Sequence, residues 1–362
     1  KDDLLNNLGI LTDTANLRGV NARHVISATN LNSTAILDGF TITAGDADTD
    51  GGGLRNSNGS PTLANLVFSG NRAGALGGGM ANISNSAPTM NNLLFIANRA
   101  ANGGGMAITL GSGPTMNKVS FYNNLAANAN GGALYIYSSF PILNNGSFVG
   151  NQANNGGAIY NEYLSAPTLT NVTFSGNQAA TGAALYNTNN SGPILSHATL
   201  RSNVATVAAI IFSSSNSNPT IRNSILWGNQ QGSGTAITGG TTTIANSLVE
   251  GACSNGQMCF GVTQSDPQLG ALTVFNDMFL YPLSSTSPAI DVANSSYCPA
   301  IDQRDAARPQ GPQCDLGTYE AEQADMQVSG QIAPMIVSIG GTLEYTLIIT
   351  NNGSSPTTGV VV

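Results

Sequence analysis

The sequence predicts an all-β fold, a right-handed parallel β-helix whose coils have a repeat length of about 26 residues. Three observations predict it: prolines recur at an almost constant spacing, a large apolar residue follows each of them seven positions later, and an asparagine comes three positions after that. A solenoid of this kind stacks short repeats so that each repeat contacts only its neighbours, which lets 362 residues form one body.

The three repeated positions hold their register over seven copies. The prolines are Pro61, Pro88, Pro114, Pro141, Pro167, Pro193 and Pro219. The apolar residues are Phe68, Phe95, Phe121, Phe148, Phe174, Leu200 and Leu226. The asparagines are Asn71, Asn98, Asn124, Asn151, Asn177, Asn203 and Asn229. Stacking of the coils therefore predicts a phenylalanine ladder in the core and an asparagine ladder that forms hydrogen bonds from coil to coil.

Each coil is predicted to contain a strand, a corner, a second strand and another corner. Pro61 opens a segment rich in β-forming residues, and Asn71 closes it because asparagine tolerates the left-handed conformation of a sharp corner. Glycines at 77–79 allow the next corner. The same glycines and prolines exclude a helical repeat, whose units need an uninterrupted apolar stripe, and the leucine-rich repeat pattern is absent.

Composition narrows the functional classes. Charged residues make up 8% of the chain and the formal net charge is −8, so no basic face is expected for a nucleic acid. No apolar run approaches the length of about 18 residues that a membrane span needs. The cysteines form two local pairs, Cys253/Cys259 and Cys298/Cys314, without the spacing of a zinc site. Two disulfides are therefore favoured, and they indicate a secreted, extracellular or cell-surface protein.

Several motifs resemble those of bacterial surface proteins. The pattern of Phe, any two residues and Asn, followed by glycines, resembles the repeats of bacterial surface β-helix proteins, including the polymorphic outer-membrane protein type. Residues 37–43 resemble the entry coil of the same group. The segments 266–270, 287–291 and 303–320 resemble the choice-of-anchor Q segment that closes many such proteins. The resemblance covers roughly residues 20–322 and implies an exported, cell-surface protein, without implying a reaction.

These patterns divide the chain into four parts: an N-terminal cap with the first coils (1–50), the repeats (51–265), a closing segment (266–323) and a tail (324–362). The tail resembles the first half of an Ig-like repeat of bacterial surface proteins, with strand-like alternation at 343–347. Half of a β-sandwich cannot bury its inner face alone. We therefore expect either the rest of that domain beyond residue 362 or pairing of these strands with a neighbouring subunit.

The repeats lack the residue types of a carbohydrate-cleaving site. Glycoside hydrolysis needs two carboxylates about 5–9.5 Å apart, and lyases of this fold generally need an acidic calcium cluster and a base. Glu162 is the only acidic residue between positions 51 and 249, and neither His24 nor His197 has a cysteine or an acidic residue nearby in sequence. We therefore expect a non-enzymatic protein with structural histidines, no catalytic residue and no cofactor-binding residue.

One motif resembles the start of a calcium-binding loop. Asp46, Asp48 and Asp50 alternate and Gly51 follows, which supplies oxygen ligands and a turn. The bidentate glutamate of such a loop is missing, because Ser57 stands at the twelfth position. The motif is therefore either a solvated turn between the first coils or a structural calcium site, and calcium is the one cofactor that the sequence suggests.

Two further groups of residues leave alternatives open. Asp302, Arg304, Asp305 and Arg308 lie near the second cysteine pair and are predicted to form a surface ion-pair network that fixes a loop, with a functional site as the alternative. Five tyrosines follow the glycine corners and belong either to the core and rim or to an outward platform for sugar rings: Tyr135, Tyr137, Tyr160, Tyr163 and Tyr186.

Together these features predict a non-enzymatic, extracellular structural or adhesive protein, a stiff rod followed by Ig-like modules. Assembly into a filament or layer is predicted through the ends of the β-helix, which expose unpaired strand edges, and through the strands of the tail. The predicted partners are other copies of the chain, cell-surface molecules or glycans. The alternative is a carbohydrate-binding or polysaccharide-degrading, lyase-like β-helix.

Overall fold

The structure, a computed structural model, describes residues 3, 10–11, 13–127, 129–214, 216–232, 236–251, 253, 256–322, 326–333, 342 and 344–351. Over these residues the chain is a β-solenoid of about eight turns with 2% helix. The helical content consists of two short 3-10 helices, Thr14–Asn16 and Ser295–Tyr297. The predicted all-β parallel solenoid is confirmed.

The solenoid has three faces, each formed by parallel strands from successive coils. Face 1 is a nine-stranded sheet in the order β1-β5-β8-β11-β14-β16-β19-β23-β27. Its strands are β1 (Ile26–Thr29), β5 (Leu54–Ser57), β8 (Met80–Ile83), β11 (Met106–Thr109), β14 (Leu134–Tyr137), β16 (Ile159–Glu162), β19 (Leu185–Asn187), β23 (Ile211–Ser213) and β27 (Ile237–Thr238).

Face 2 carries the longest strands, which follow the repeated prolines. The sheet has 14 strands, of which those in the first coil and the later coils are split into two short pieces. They are β2 (Ile36–Asp38), β3 (Thr41–Thr43), β6 (Thr62–Ser69), β9 (Thr89–Ile96), β12 (Thr115–Tyr122), β15 (Ile142–Val149), β17 (Thr168–Ser175), β20 (Ile194–Ser196), β21 (Thr199–Arg201), β24 (Thr220–Arg222), β25 (Ile225–Leu226), β28 (Thr243–Ala245), β29 (Leu248–Val249) and β30 (Met258–Phe260).

Face 3 is the short third side, which the predicted two-strand coil lacks. Its strands form one sheet of four and one of three: β4 (Asp46–Ala47), β7 (Arg72–Ala73), β10 (Arg99–Ala100) and β13 (Leu125–Ala126), then β18 (Gln178–Thr181), β22 (Val204–Ala208) and β26 (Gln230–Gln231). Most of these strands are too short for an alternating pattern to be recognised in the sequence.

The corner between faces 2 and 3 differs from the prediction. The repeated asparagines do not adopt the left-handed conformation there; the residue before each of them does. Those residues are Gly70, Ala97, Asn123, Gly150, Gly176, Ser202 and Gly228, with φ between 52° and 67°. The preceding residue makes the turn, so that each repeated asparagine directs its side chain into the core.

Glycine at the next corner allows the coil to be thin. A Cβ atom at Gly78 would lie 2.5 Å from the carbonyl oxygens of Arg99 and Gly104, which leaves no space for a side chain. Inside the coils, one continuous core of buried apolar residues runs along the rod from Ile42 to Val249.

Two antiparallel strand pairs follow the last coil. The first, β31 (Thr273–Phe275) with β32 (Met278–Leu280), belongs to the closing segment. The second, β33 (Met326–Ala333) with β34 (Glu344–Asn351), lies in the tail. An Ig-like domain would contain such a pair, but two strands do not define one, so the Ig-like assignment stays a prediction.

Candidate functional site

The predicted phenylalanine and asparagine positions lie inside the rod. The rings from Phe68 to Phe174 stack with centroid distances of 4.6 to 5.0 Å. Asn98 shows the pattern of the inner asparagine ladder: its Oδ1 accepts from the backbone and side-chain amides of Asn71, both at 3.0 Å. Its Nδ2 donates to Phe68 O at 2.8 Å and to Asn124 Oδ1 at 3.0 Å. Every hydrogen-bonding position of this buried amide is used, so the ladder fixes the register of the coils.

A second ladder lies on the outside of face 2 and was not predicted from the sequence. In each coil the residue six positions before the repeated asparagine has a positive φ. These residues are Asn65, Asn92, Lys118, Asn145, Asn171, His197 and Asn223, and Asn246 continues the row. The constant offset from the inner ladder was visible in the sequence, but Lys118 and His197 interrupt the run of asparagines.

The closing segment packs along this outer ladder. Lys118 Nζ lies 2.5 Å from Asp305 Oδ2. Asn171 Nδ2 donates to Ile301 O at 2.8 Å. Asn223 both donates to and accepts from the backbone of Asn294, at 3.0 Å each. The closing segment thus recognises the outer ladder through polar contacts in three separate coils.

Beneath the closing segment, the outward side chains of face 2 are buried. Gln303 is fully buried: its Oε1 accepts from Thr173 Oγ1 at 2.8 Å and its Nε2 donates to Gly146 O at 2.8 Å. Ser175 Oγ lies 2.7 Å from the hydroxyl of Tyr281. A separate apolar cluster, which includes Ile225 of face 2, packs in the same interface.

A buried ion cluster lies at the centre of the closing segment. Arg308 donates to Asp315 O at 3.0 Å and to Gly317 O at 2.8 Å, and its Nε is 3.5 Å from Glu320 Oε2. Asp302 is fully buried and pairs with Arg304 at 2.9 Å. The predicted surface network is therefore wrong in its location: the segment folds over these residues and removes them from solvent.

Asp305 does not join the buried ion cluster, contrary to the prediction. Its side chain is partly exposed and pairs with Lys118 across the interface. Asp315 and Glu320, which were not predicted from the sequence, take its place. No spacing pattern in the sequence links these two acidic residues with Arg308, because the folding of the closing segment brings the three side chains together.

Hydrogen bonds to backbone amides occupy the carboxylates of the cluster. Asp315 accepts from the backbone N–H groups of Asp291 at 2.8 Å and Ala321 at 2.6 Å. Glu320 accepts from Gln310 at 2.8 Å and from Asp315 at 3.0 Å. Burial nevertheless raises the pKa of Asp315 to about 7 and also raises the pKa of Glu320. The same burial lowers the pKa of Arg308.

The contacts of His197 indicate a structural role. Its imidazole nitrogens lie 3.2 Å from Ser196 Oγ and 3.3 Å from Asn223 Nδ2. Burial, together with the nearby charges of Arg308 and Arg222, lowers the pKa of His197 to about 2. The ring is therefore neutral at ordinary pH and replaces one asparagine of the outer ladder.

The predicted tyrosines form an outward row on face 1. Tyr135, Tyr160 and Tyr186 stack with centroid distances of 5.8 and 4.9 Å, and Phe212 continues the row at 4.9 Å. Glu162 accepts a hydrogen bond from the Tyr135 hydroxyl at 2.8 Å. Because each ring covers the face of the next, mostly ring edges are left for solvent, and a sugar platform needs exposed ring faces.

Tyr137 and Tyr163 lie at the end of the face 1 strands, where their rings stack at 5.6 Å. Tyr163 is half exposed. None of the five tyrosines contributes to the main apolar core of the described residues.

The three aspartates of the calcium-like motif lie at the start of face 3. Asp46 Oδ1 is 3.2 Å from Arg72 Nε, and Asp48 Oδ2 is 4.0 Å from Arg23 Nη2. Within the described part of the chain, no three His, Cys, Asp or Glu side chains group closely enough to hold a metal ion. Two of the three carboxylates thus face arginines rather than one another, and the calcium assignment stays a prediction.

Both predicted disulfides form. Cys253 pairs with Cys259 at the end of the solenoid, and Cys298 pairs with Cys314 inside the closing segment. The second bridge joins two stretches that flank the buried ion cluster.

Comparison with known families supports the same architecture. A family model described as a right handed beta helix region matches residues 114–249. The fold is a right-handed parallel β-helix. No curated protein matches the chain.

The right-handed β-helix is found both in pectate lyase-like enzymes and in non-enzymatic proteins, so the match does not select an activity. No helix among the described residues combines the length and the apolar character needed to cross a membrane. The choice-of-anchor Q assignment of the closing segment also stays a prediction.

Proposed function

We propose that this protein is a non-enzymatic structural or adhesive rod, secreted and displayed outside the cell. The observation that carries the proposal is the attachment of the closing segment to face 2. That segment contains Asp302, Asp315 and Glu320, and it uses them to hold its own backbone and arginines. All three carboxylates are buried, so a substrate does not reach them as general acid or base catalysis would require.

The repeats support the same proposal. Glu162 is the only acidic residue between positions 51 and 249, and it accepts a hydrogen bond from Tyr135. The inner asparagine ladder continues from Asn71 to Asn229 without a gap, which makes the rod stiff along its length. The two disulfides are compatible with secretion.

Self-association is the finer part of the proposal. The pair β33–β34 exposes Val328, Tyr345 and Leu347 to solvent. An isolated two-stranded sheet is marginally stable, and exposed strand edges tend to pair with other strands. The first strand of face 1, β1, pairs on one edge only within the described residues. We propose that the tail strands of one copy add to a neighbouring copy.

The test is electron microscopy of the native material beside the isolated full chain, with light scattering over a range of concentrations. The proposal expects filaments or layers, and Leu347→Lys should reduce assembly because it places a charge on the exposed sheet. Val274→Lys is the matched control, since Val274 is similarly exposed on the closing segment. A chain that stays monomeric at every concentration, or equal assembly of both variants, contradicts self-association through the tail.

Catalysis is tested separately on the same material. Incubation with neutral and acidic polysaccharides, followed by assays for reducing ends and for unsaturated products, is expected to give none. Product formation that survives repurification would overturn the non-enzymatic assignment.

A further inference from the structure

The outward positions of face 3 form a single row along the rod. Strand pairing places one residue of each coil beside its equivalent in the next coil. In order, the row is Asp46, Arg72, Arg99, Leu125, Gln152, Gln178, Val204 and Gln230. It therefore contains two neighbouring cations, followed by coils that present neutral side chains.

The two arginines are placed unfavourably for stability. Arg72 and Arg99 are directly paired on neighbouring parallel strands, about 4.8 Å apart, where like charges repel. The carboxylate of Asp46 lies 3.2 Å from Arg72 and offsets its charge. Among the described residues, no carboxylate lies within 4.0 Å of Arg99. The chain has only 11 lysines and arginines, and two of them lie side by side here, which concentrates positive charge at this end of face 3.

The arginine pair lines an open groove of about 500 Å³. Ala73 and Ala100, which follow the two arginines on their strands, also line it, and Thr14 and Ala15 of the 3-10 helix Thr14–Asn16 form its wall. That wall is anchored, because the buried Leu11 accepts a hydrogen bond at 2.6 Å from Ser69 Oγ. Apart from the two arginines, the lining consists of alanines, one glycine and one threonine, so no bulky side chain of the lining covers the guanidinium groups.

The concave surface continues along the rod. Arg99 also lines an adjoining cavity of about 290 Å³. The next cavity on face 3, about 410 Å³, is lined by Leu125, Gln152 and Asn154. The charge of the surface therefore changes along the groove, from two guanidinium groups to side-chain amides and an apolar residue.

We propose that face 3 binds a glycan that carries one acidic sugar followed by neutral sugars. The carboxylate or sulfate of the acidic sugar lies between Arg72 and Arg99, because a guanidinium offers paired donors that match a planar or tetrahedral oxyanion. The neutral sugars lie over the next coils, where Gln152 and Asn154 provide amide donors and acceptors for hydroxyl groups. The site is independent of self-association.

The distribution of charge argues against a polyanion. A nucleic acid needs a cation for most of the phosphates it places on the protein, and this row has two cations in eight positions. The net charge of −8 opposes a long anionic polymer as well. A single acidic group on an otherwise neutral chain fits both features.

The test uses the full chain and three probes: sialyllactose, in which one carboxylate sugar precedes two neutral sugars, sulfated lactose, and lactose. Binding is measured by calorimetry and by ligand-observed NMR at low and high salt. We expect the two acidic probes to bind about tenfold or more tightly than lactose, with a difference that shrinks in salt. Inorganic phosphate should compete weakly, because it lacks the contacts to the amides.

Variants identify the site. Arg99→Gln should remove the preference for the acidic probes and also raise the melting temperature, since it relieves the repulsion from Arg72. Arg55→Gln, on the outward side of face 1, is the matched control and should change neither. Gln152→Ala should weaken the binding of sialyllactose but leave the binding of free sialic acid unchanged.

Equal binding of lactose and the acidic probes, no binding of any probe at millimolar concentration, or unchanged binding by Arg99→Gln overturns the proposal.

Discussion

The repeated coils and the closing segment both bury polar side chains, but they satisfy them in different ways. In the coils, neutral amides such as Asn98 and Asn124 bond to their own equivalents above and below. In the closing segment, Arg308, Glu320 and Asp302 form a charged cluster that occurs once. Both arrangements leave few buried polar atoms without a partner among the described residues.

The difference follows from repetition. A side chain repeated in every coil faces a copy of itself about 4.8 Å away, and a repeated charge at that distance would repel its copies. An amide carries both a donor and an acceptor, so it can bond to itself indefinitely. The closing segment is not repeated and is free to pair opposite charges. This explains why only 8% of the chain is charged.

The largest predicted effect comes from breaking the unique cluster. Arg308→Met leaves Glu320 and Asp315 buried without their cation and should lower the free energy of unfolding by about 3–5 kcal/mol. Urea unfolding measures the loss, and proteolysis tests whether the closing segment detaches before the coils. Asp305→Asn, which removes only a partly exposed ion pair, should cost under about 1 kcal/mol. Similar losses for both variants would contradict the distinction.

Breaking one rung of the inner ladder should cost less, because the other rungs remain. Asn124→Ala removes the acceptor of the Asn98 backbone amide, at 3.1 Å, and should destabilise the protein by about 2–3 kcal/mol. Asn229→Ala is the comparison, since Asn229 is at the C-terminal end of the ladder and the hydrogen bond it accepts from Asn203 is partly exposed. Its loss should be about half as large. Equal losses in thermal unfolding would mean that position in the ladder is unimportant.

The cluster also predicts a dependence of stability on pH. The folded-state pKa of Asp315, about 7, lies above its ordinary value of 3.8. Between these values the folded protein binds more protons, so this group's contribution to stability is lost as the pH rises towards 7, by at most about 1.4 kcal/mol per pH unit. His197, with a pKa lowered to about 2, acts in the opposite direction between pH 2 and 6.5.

Asp315→Asn isolates the two contributions. Between about pH 4 and 6.5 the two contributions oppose each other in the original protein, so the variant should show a rise in stability over this range that the original protein lacks. Unfolding free energies measured from pH 3 to 8 give both slopes. A variant with the same pH profile as the original protein would show that Asp315 titrates normally.

The smallest effect is expected where the two regions meet. Lys118→Asn restores an asparagine to the outer ladder, in a left-handed conformation that asparagine favours, and removes the ion pair with Asp305. These changes oppose each other, so the free energy of unfolding should change by less than about 0.5 kcal/mol. Chemical denaturation measures this change. An ordinary exposed ion pair contributes about 1 kcal/mol at most, so a much larger loss would mean that this pair holds the closing segment in place.

The sequence determined the solenoid. The regular recurrence of proline, phenylalanine and asparagine specifies stacked coils, because identical residues at a fixed period can bury their apolar and polar groups only against their own copies. It also specified both cysteine pairs, since each is local. The sequence did not reveal the short third face, whose strands are too short to leave a pattern, nor that the residue before Asn71 makes the corner.

Only the tertiary structure decided where the closing segment lies and what it does to its charged residues. Asp302, Arg308 and Glu320 are too far apart in the sequence to belong to one turn. Gln303 forms a hydrogen bond with Thr173, which is 130 residues away in the sequence. Such contacts have no period, so spacing in the sequence carries no information about them. The same holds for face 3: Arg72 and Arg99 are a whole coil apart in the sequence, and they become neighbours on adjacent strands only after the coil has closed.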